Sequence, residues 1–377
     1  MIDCQRDLFS VPEEISYFNC AYLSPQLNDS KKALIQGANL KSTPWEWTAE
    51  KFFNDVEKIR VLCSDLFGEN PDNYALVPSV SYGMNTAARA IEPKLRKGNQ
   101  ILLIDEDFPS NVFAWRRVCN EVGSSILTVS KDENSDWTSV ILDHITSKVK
   151  VVSISSCHWT NGEYIDMELI GQKCKEKGTF FIIDATQSLG ANEHSIRKMD
   201  PDFLIAAAYK WMLCPYGLAV LYVSDRWFDS RPLEETWLAR DNAKNFSELV
   251  NYSDNYMPGA RRFDMGQIGM PTLLPGSIIA LEQIKKWGIG NISRALGVIN
   301  NKISNELIKY GFDIIPQDRR VSHILGVRIP KGKNKDYVSN LRSENIYISQ
   351  RGSSLRIAPH LHINDKDIER LLNFLSV

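Results

Sequence analysis

The 377-residue sequence lacks the features of a membrane or nucleic-acid-binding protein. Its N-terminus, MIDCQRDLFSVPEE, is polar and acidic, and no apolar run approaches the roughly 18 residues of a membrane-spanning helix. The 44 lysines and arginines are balanced by 46 aspartates and glutamates and are scattered along the chain. Because no basic patch stands out, we expect a cytoplasmic protein with neither nucleic acid nor membrane as a partner.

The sequence also lacks the spacing of metal ligands. Its seven cysteines form no Cys-x-x-Cys pair, and their odd number favours reduced thiols. His360 and His362 would share one face of a strand, but no third ligand lies near them in sequence. We therefore predict no metal site.

The composition is that of a globular protein with room for two domains, since 43% of the residues are hydrophobic and 24% are charged. Up to about residue 270, helix-length segments alternate with short apolar runs, namely NYALVPS, NQILLID, SSILTVS, KVKVVSIS, TFFIIDA, DFLIAAA and GLAVLYV. This alternation predicts a parallel or mixed α/β sheet. Two long helices, short strands and a closing helix follow, which predicts a smaller α+β domain. The predicted domains are 16–270 and, together, 1–15 with 271–377.

Open α/β sheets bind ligands at the carboxyl ends of their strands, so the residues after each predicted strand are the candidates. Asp184 ends the apolar run of TFFIIDA, where a carboxylate is desolvated unless a cation or a donor meets it. Phe108 follows NQILLID and precedes a proline, so its ring is placed to stack on an aromatic ligand. The stretch SVSYGMN suits a phosphate at a helix N-terminus, although a plain helix cap explains it too. Asn161 precedes a glycine, which a turn explains equally well.

Lys210 interrupts the apolar stretch LIAAAYKWMLCPYGLAVLYV. Such a lysine either lays its methylenes over apolar neighbours and reaches water, or is held in a dry site with a lowered amine pKa. Schiff-base chemistry requires the second arrangement. The stretch alone does not decide between the two.

Taken together, these motifs resemble the fold-type I pyridoxal-phosphate enzymes. Within them they resemble the class V aminotransferase family, which includes cysteine desulfurases, kynureninase and isopenicillin-epimerase-like proteins. The similarity runs from YFNCAYLSP to SLRIAPHLHIND. It implies a large domain with a mixed, mostly parallel sheet, a smaller α+β C-terminal domain and pyridoxal 5'-phosphate as cofactor. It also implies that Asp184 pairs with the pyridine nitrogen and that Lys210, 26 residues later, is the Schiff-base lysine.

The resemblance assigns seven further residues to the cofactor. These are the phosphate contacts Val80, Ser81, Tyr209 and Gln267, the stacking ring Phe108, and Asn161 and Gln187 near the phenolic oxygen. Gln267 stands where the family usually has threonine, in a segment that reaches the neighbouring subunit's phosphate, which implies a homodimer with shared active sites. Ala207 replaces the serine that desulfurases tend to carry, so one phosphate contact has to come from elsewhere.

Arg356, in SLRIAPHLHIND, matches the arginine that grips the substrate's α-carboxylate, and Asn161 lies near the same carboxylate. The resemblance implies an enzyme acting on an amino acid or keto acid, with an aminotransferase as the first expectation. Alternatives are a kynureninase-like or sulfur-compound lyase, an epimerase and, last, a non-catalytic cofactor-binding regulator. The stretch NIYISQRGSSLRI lacks the cysteine that desulfurases carry shortly before this arginine. We therefore expect that the chain is not a cysteine desulfurase.

Overall fold

The fold is built around a seven-stranded mixed sheet, and a computed structural model describes residues 2–329 and 336–376. The strands in those residues are β1 (Ser16–Tyr17), β2 (Tyr74–Val77), β3 (Gln100–Ile104), β4 (Ser125–Val129), β5 (Val149–Ser155), β6 (Phe180–Asp184), β7 (Phe203–Ala207), β8 (Ala219–Val223), β9 (Asp313–Ile314), β10 (Leu325–Arg328), β11 (Ile346–Tyr347), β12 (Ser349–Arg351) and β13 (Ser354–Ile357). The α-helices are α1 (Asn28–Asn39), α2 (Lys51–Phe67), α3 (Val80–Ile91), α4 (Pro109–Val122), α5 (Trp137–His144), α6 (Met167–Lys177), α7 (Ile196–Met199), α8 (Leu274–Trp287), α9 (Ile289–Lys309), α10 (Tyr337–Ser343) and α11 (Asp365–Leu375).

The large sheet has the strand order β2-β8-β7-β6-β5-β3-β4. The last five strands in that order run parallel, whereas β8 pairs antiparallel with both β2 and β7. The prediction of a mixed, mostly parallel sheet is therefore confirmed.

Helices cover both faces of this sheet, which explains why its strands read as continuous apolar runs. Successive side chains of a strand point to opposite faces. Leu102 and Ile104 accordingly join the apolar cluster that includes α2, α6 and α8, whereas Ile101 and Leu103 join the cluster that includes α3 and α4.

The C-terminal part contains a four-stranded antiparallel sheet of order β12-β13-β10-β9, with α9 and α11 packed beside it. Residues from the N-terminus join it, because β1 pairs in parallel with β11 through Ser16 and Ile346. The predicted domain boundaries, 16–270 and 1–15 with 271–377, remain predictions. None of the described helices is both long and apolar enough to cross a membrane.

The parallel strands β3, β5, β6 and β7 end at the same edge of the sheet. The residues at or just after those ends include Phe108, Ser155, Asp184 and Lys210. The fold therefore brings together side chains that lie about 100 residues apart in sequence.

Candidate active site

A cavity of about 270 Å³ opens at this carboxyl edge of the sheet. Seven of the ten site residues proposed from the sequence line it, namely Val80, Ser81, Phe108, Asp184, Gln187, Tyr209 and Lys210. Residues of one chain thus assemble most of the predicted site.

Lys210 follows β7 and is only 6% exposed, although its ammonium group has no carboxylate within ion-pairing distance among the described residues. Its Nζ lies 5.8 Å from the ring centroid of Phe108 and 5.9 Å from that of Tyr209. Burial lowers the pKa of this amine from 10.5 to about 8, although the attraction of Asp184 partly opposes the shift. The dry arrangement left open by the sequence is the one that the structure shows.

Asp184 closes β6 and is buried. Its Oδ1 accepts a hydrogen bond from the backbone N–H of Thr186 at 3.0 Å. Burial raises the pKa of the carboxyl group, whereas Thr186 and Lys210 lower it. A polar group of a ligand would offset the remaining free-energy cost of burying the Asp184 carboxylate, because a buried carboxylate is stable only with hydrogen-bonding or charged partners.

The N-terminus of α3 points its first amides at the cavity. Ser79 caps the helix, and its Oγ accepts from the backbone N–H of Tyr82 at 3.2 Å and lies 3.0 Å from Oγ of Ser81. Val80 and Ser81 are the first helical residues and line the cavity. Since the first amides of a helix lack partners within it, this end suits a phosphate group. Ser79 therefore caps the helix, as a plain helix start requires, and the same helix end can still bind an anion.

Phe108 is held at the cavity by a carboxylate that the sequence reasoning missed. Asp107 is buried, accepts from the backbone N–H of Phe108 at 2.7 Å and from Asn111 at 2.7 Å, and also accepts from the hydroxyl of Ser155. Burial raises the pKa of Asp107 to about 6. An aspartate just before the Phe-Pro pair, four residues before an asparagine, was the available signal.

Arg356 lies on β13 and is 1% exposed. Its Nη1 donates to the carbonyl oxygen of Trp159 at 2.8 Å, and its Nε donates to Oγ of Ser349 at 3.2 Å. No carboxylate of the described residues pairs with it, whereas the equally buried Arg60 pairs with Asp264. Burial lowers the pKa of the Arg356 guanidinium to about 9. Its position beside Trp159, which lines the cavity, leaves this cation available to a ligand anion.

Three predicted residues are not placed as simple ligands of this cavity. Asn161 forms a turn, in which its Oδ1 accepts from the N–H of Glu163 at 3.0 Å, and it lines a neighbouring cleft. Gln187 lines the cavity, yet its side chain is engaged with Ala21 and Trp211. Gln267 is exposed, with a positive φ of 58°, outside the cavity lining. Their roles toward the cofactor remain predictions.

Comparison with protein families gives a match to the family described as Aminotransferase class-V over residues 45–365. Among curated relatives, an uncharacterized aminotransferase of Schizosaccharomyces pombe is 24% identical over 99% of this chain and 94% of its own length. A probable cysteine desulfurase of Pyrococcus abyssi is 26% identical over 63% of this chain and 58% of its own length. A kynureninase of Geobacillus thermodenitrificans is 26% identical over 88% of this chain and 78% of its own length.

Solved structures share the fold over almost the whole chain. A cysteine desulfurase of Thermococcus onnurineus NA1 has a TM-score of 0.84 at 18% identity, covering 100% of this chain and 98% of its own. The cystine C-S lyase C-DES, in complex with its product cysteine persulfide, has a TM-score of 0.87 at 16% identity and covers 97% and 98%. A lysine-to-alanine mutant of C-DES, with glycine covalently linked to the PLP cofactor, has a TM-score of 0.89 at 16% identity and covers 99% of both chains. The expectation of fold-type I is confirmed.

These comparisons correct one expectation. The statement that this chain is not a cysteine desulfurase is wrong, because relatives and structural neighbours carry that name. The chemical reason is that a carbon–sulfur bond is weakened by events at the substrate's α-carbon, close to the amine and the carboxylate clamp. A cysteine on that loop would attack and receive the substrate's sulfur, but sulfur can also leave the β-carbon as sulfide or a thiol once the α-proton is removed, so the lack of a cysteine in residues 345–357 does not exclude carbon–sulfur cleavage.

Proposed function

This chain belongs to the aminotransferase class-V family, and from that premise we propose that it is a pyridoxal-phosphate-dependent enzyme that cleaves a carbon–sulfur bond of a free amino acid. The observation that carries the proposal is the pair of buried basic side chains, Lys210 and Arg356, beside one cavity and without carboxylate partners among the described residues. One supplies a neutral amine and the other a site for an α-carboxylate. A free amino acid needs both.

The residues of the cavity fit pyridoxal 5'-phosphate, which is the cofactor of this family. The amine of Lys210 suits its aldehyde, and the carboxylate of Asp184 suits its ring nitrogen. The amides of Val80 and Ser81 suit its phosphate, and the ring of Phe108 offers a flat apolar surface. Each of these groups would serve a different part of one molecule, which supports a single planar, phosphorylated ligand.

The cofactor, when bound, supplies an electron sink for the electron pair that is released at the substrate's α-carbon. The chain's own residues prepare that step. Arg356 orients the amino acid through its carboxylate, and Asp184 keeps a proton on the ring nitrogen by offering a negative charge. Lys210, once its amine is free, takes the α-proton, as its lowered pKa allows near neutral pH.

The choice of carbon–sulfur cleavage is supported by the sequence relatives and structural neighbours named as cysteine desulfurases and as a cystine C-S lyase. In its simplest form, an S-substituted cysteine and water give a thiol, pyruvate and ammonium. The proton taken from the α-carbon balances the one that the leaving sulfur gains. The cavity needs no further base for this reaction, because Lys210 accepts the α-proton and can donate it to the leaving sulfur.

Amino transfer to a keto acid is the second candidate. It is supported by the Schizosaccharomyces pombe relative, which is named an aminotransferase and matches 99% of this chain. Carbon–sulfur cleavage and amino transfer both begin when the α-proton is removed from an amino acid held by Arg356. They differ in the bond that breaks next.

Purified protein loaded with pyridoxal phosphate tests the proposal. With L-cysteine, L-cystine or S-alkyl cysteines, we expect sulfide, persulfide or thiol, respectively, together with pyruvate and ammonium, measured without any added keto acid. Amino transfer predicts instead that product accumulates only when a keto acid is present. Absence of any sulfur-containing product from all of these substrates would contradict carbon–sulfur cleavage, and keto-acid-dependent turnover would favour the second candidate.

Cofactor uptake is expected to depend on pH with a midpoint near the lowered pKa of Lys210. Only the neutral amine attacks the cofactor aldehyde, and the pKa of about 8 means that this form predominates above about pH 8. The uptake rate of cofactor-free protein, followed by absorbance, should rise through that pH and level off above it. In Asp184→Asn the attraction that raises this pKa is lost, so the plateau should begin at a lower pH. An uptake rate that still increases at pH 10 would contradict a buried Lys210 with a lowered pKa.

A further inference from the structure

A second arginine lies near the substrate clamp. Arg351 ends β12, and its guanidinium carbon lies 5.6 Å from the ring centroid of Trp159, while that of Arg356 lies 5.8 Å from the same ring. The two cations are thus no more than about 12 Å apart, and both lie near a ring that lines the Lys210 cavity.

The hairpin of β12 and β13 puts both arginines on one face of the sheet. Ser349 pairs directly with Arg356, and the hydrogen bond between their side chains shows that these point the same way. Arg351 is two residues beyond Ser349, and residues i and i+2 of a strand share a face. The register therefore aims Arg351 toward the side of the sheet where Arg356 and Trp159 meet.

Arg351 has no carboxylate partner among the described residues. Its Nη1 donates a hydrogen bond to the backbone carbonyl oxygen of Gln350 at 2.8 Å. Six acidic side chains line the neighbouring cleft, which is about 460 Å³ in volume, and none of them forms an ion pair with Arg351 among the described residues; three of the six, Glu133, Glu163 and Asp313, pair with other cations. Glu163 pairs with Lys131 at 3.0 Å, and Asp313 pairs with Arg328 at 2.9 Å.

The position of Arg351 is electrostatically unfavourable in the absence of an anion. Its positive charge lowers the pKa of both Lys210 and Arg356, so three cations repel one another around Trp159. Arg351 lines the cleft, and Trp159 lines the cavity of Lys210. A substrate held at its α-carboxylate by Arg356 and extended past the ring would bring its far end to Arg351.

We propose that Arg351 is a specificity-determining residue that binds a second carboxylate at the far end of the amino-acid substrate. The substrate class is then a dicarboxylic amino acid and, for carbon–sulfur cleavage, a cysteine whose sulfur carries a carboxylate-bearing arm. This inference rests on the proposed function, since it places the amino-acid end at Lys210 and Arg356.

Two inert acids of equal length, glutarate and pentanoate, test the proposal by calorimetry on protein loaded with pyridoxal phosphate. The wild type should bind glutarate about tenfold more tightly or better, because a charge-assisted pair is worth at least that factor. In Arg351→Gln the preference should vanish while pentanoate affinity stays unchanged. In Arg356→Gln both acids should bind more weakly. Arg342→Gln, an exposed arginine of α10, is the matched control and should behave as the wild type.

Kinetics supply a second readout. The ratio of the KM for S-carboxymethyl-L-cysteine to the KM for S-propyl-L-cysteine should rise about tenfold in Arg351→Gln, because the lost pair affects only the first substrate, whereas any change in kcat through the pKa of Lys210 should be the same for both substrates. An unaltered glutarate preference in Arg351→Gln, with cofactor retained after gel filtration, would overturn this inference and leave the proposed function standing. A wild-type protein that does not retain the cofactor would overturn both.

Discussion

Replacing Lys210 by alanine is expected to lower kcat/KM by about four orders of magnitude. One amine both holds the cofactor and moves the substrate's proton, and removing a positioned base alone costs 100-fold to 10,000-fold. Lys210 is buried, its pKa is lowered to about 8, and it faces the cavity beside Phe108. Steady-state rates at saturating pyridoxal phosphate, together with circular dichroism for the fold, measure the effect.

A small amine distinguishes a chemical from a structural role for this lysine. The Lys210→Ala cavity leaves space where methylamine can act as the base, so partial recovery of rate with added methylamine is expected. Lys285→Ala is the matched control, because Lys285 is an exposed lysine paired with Asp65. Retention of more than a tenth of the wild-type rate in Lys210→Ala without added amine would contradict the assignment.

Replacing Asp184 by alanine is expected to lower kcat by about 100-fold to 1,000-fold, which is the usual loss for one preorganised electrostatic group. Without the carboxylate, the pyridine nitrogen loses its proton, and the ring withdraws electrons less strongly. Cofactor retention should weaken less than turnover, because the contacts from α3 and Lys210 remain. Exchange of the substrate's α-proton with deuterium, read by NMR, isolates this step.

Asp202 offers a matched control for the loss of a buried carboxylate. It lies before β7, away from the cavity, and accepts hydrogen bonds from Arg226 and Trp227 at 2.7 and 2.6 Å. Asp202→Asn should lower thermal stability without slowing α-proton exchange. Near-wild-type exchange in Asp184→Ala, at full cofactor occupancy, would refute the role of Asp184.

The sequence allowed the strand ends to be predicted because polar residues there interrupt apolar runs. Asp184 and Lys210 are conspicuous for that reason, and parallel strands necessarily deliver them to one edge. The class V resemblance, which the family match confirms, then gave both residues a chemical meaning.

Other features depend on contacts that a linear sequence does not show. Arg351 is informative only through the hairpin register that aligns it with Arg356 and through its distance from Trp159. Gln187 and Asn161 were chosen for their place in motifs. The structure, however, engages the side chain of Asn161 in a hydrogen bond within its own turn and that of Gln187 in hydrogen bonds with Ala21 and Trp211.

The exclusion of desulfurase activity failed for a different reason. One missing cysteine is not decisive, because sulfur can leave the β-carbon after α-proton removal without a cysteine to receive it. Of the described cysteines, Cys4 is exposed and the other six are buried. The cysteines therefore determine which group receives the sulfur, whereas Lys210 and Arg356 determine whether the carbon–sulfur bond breaks.

Borohydride reduction tests the central claim, that Lys210 carries the cofactor, most directly. Borohydride fixes the carbon–nitrogen double bond between an amine and the cofactor aldehyde, and the site is read by mass spectrometry of the peptides. The account predicts a yellow protein that loses its visible band on reduction, with the pyridoxyl mass on Lys210 alone. A modified lysine elsewhere, or no modified lysine in a protein that retains the cofactor, would contradict it.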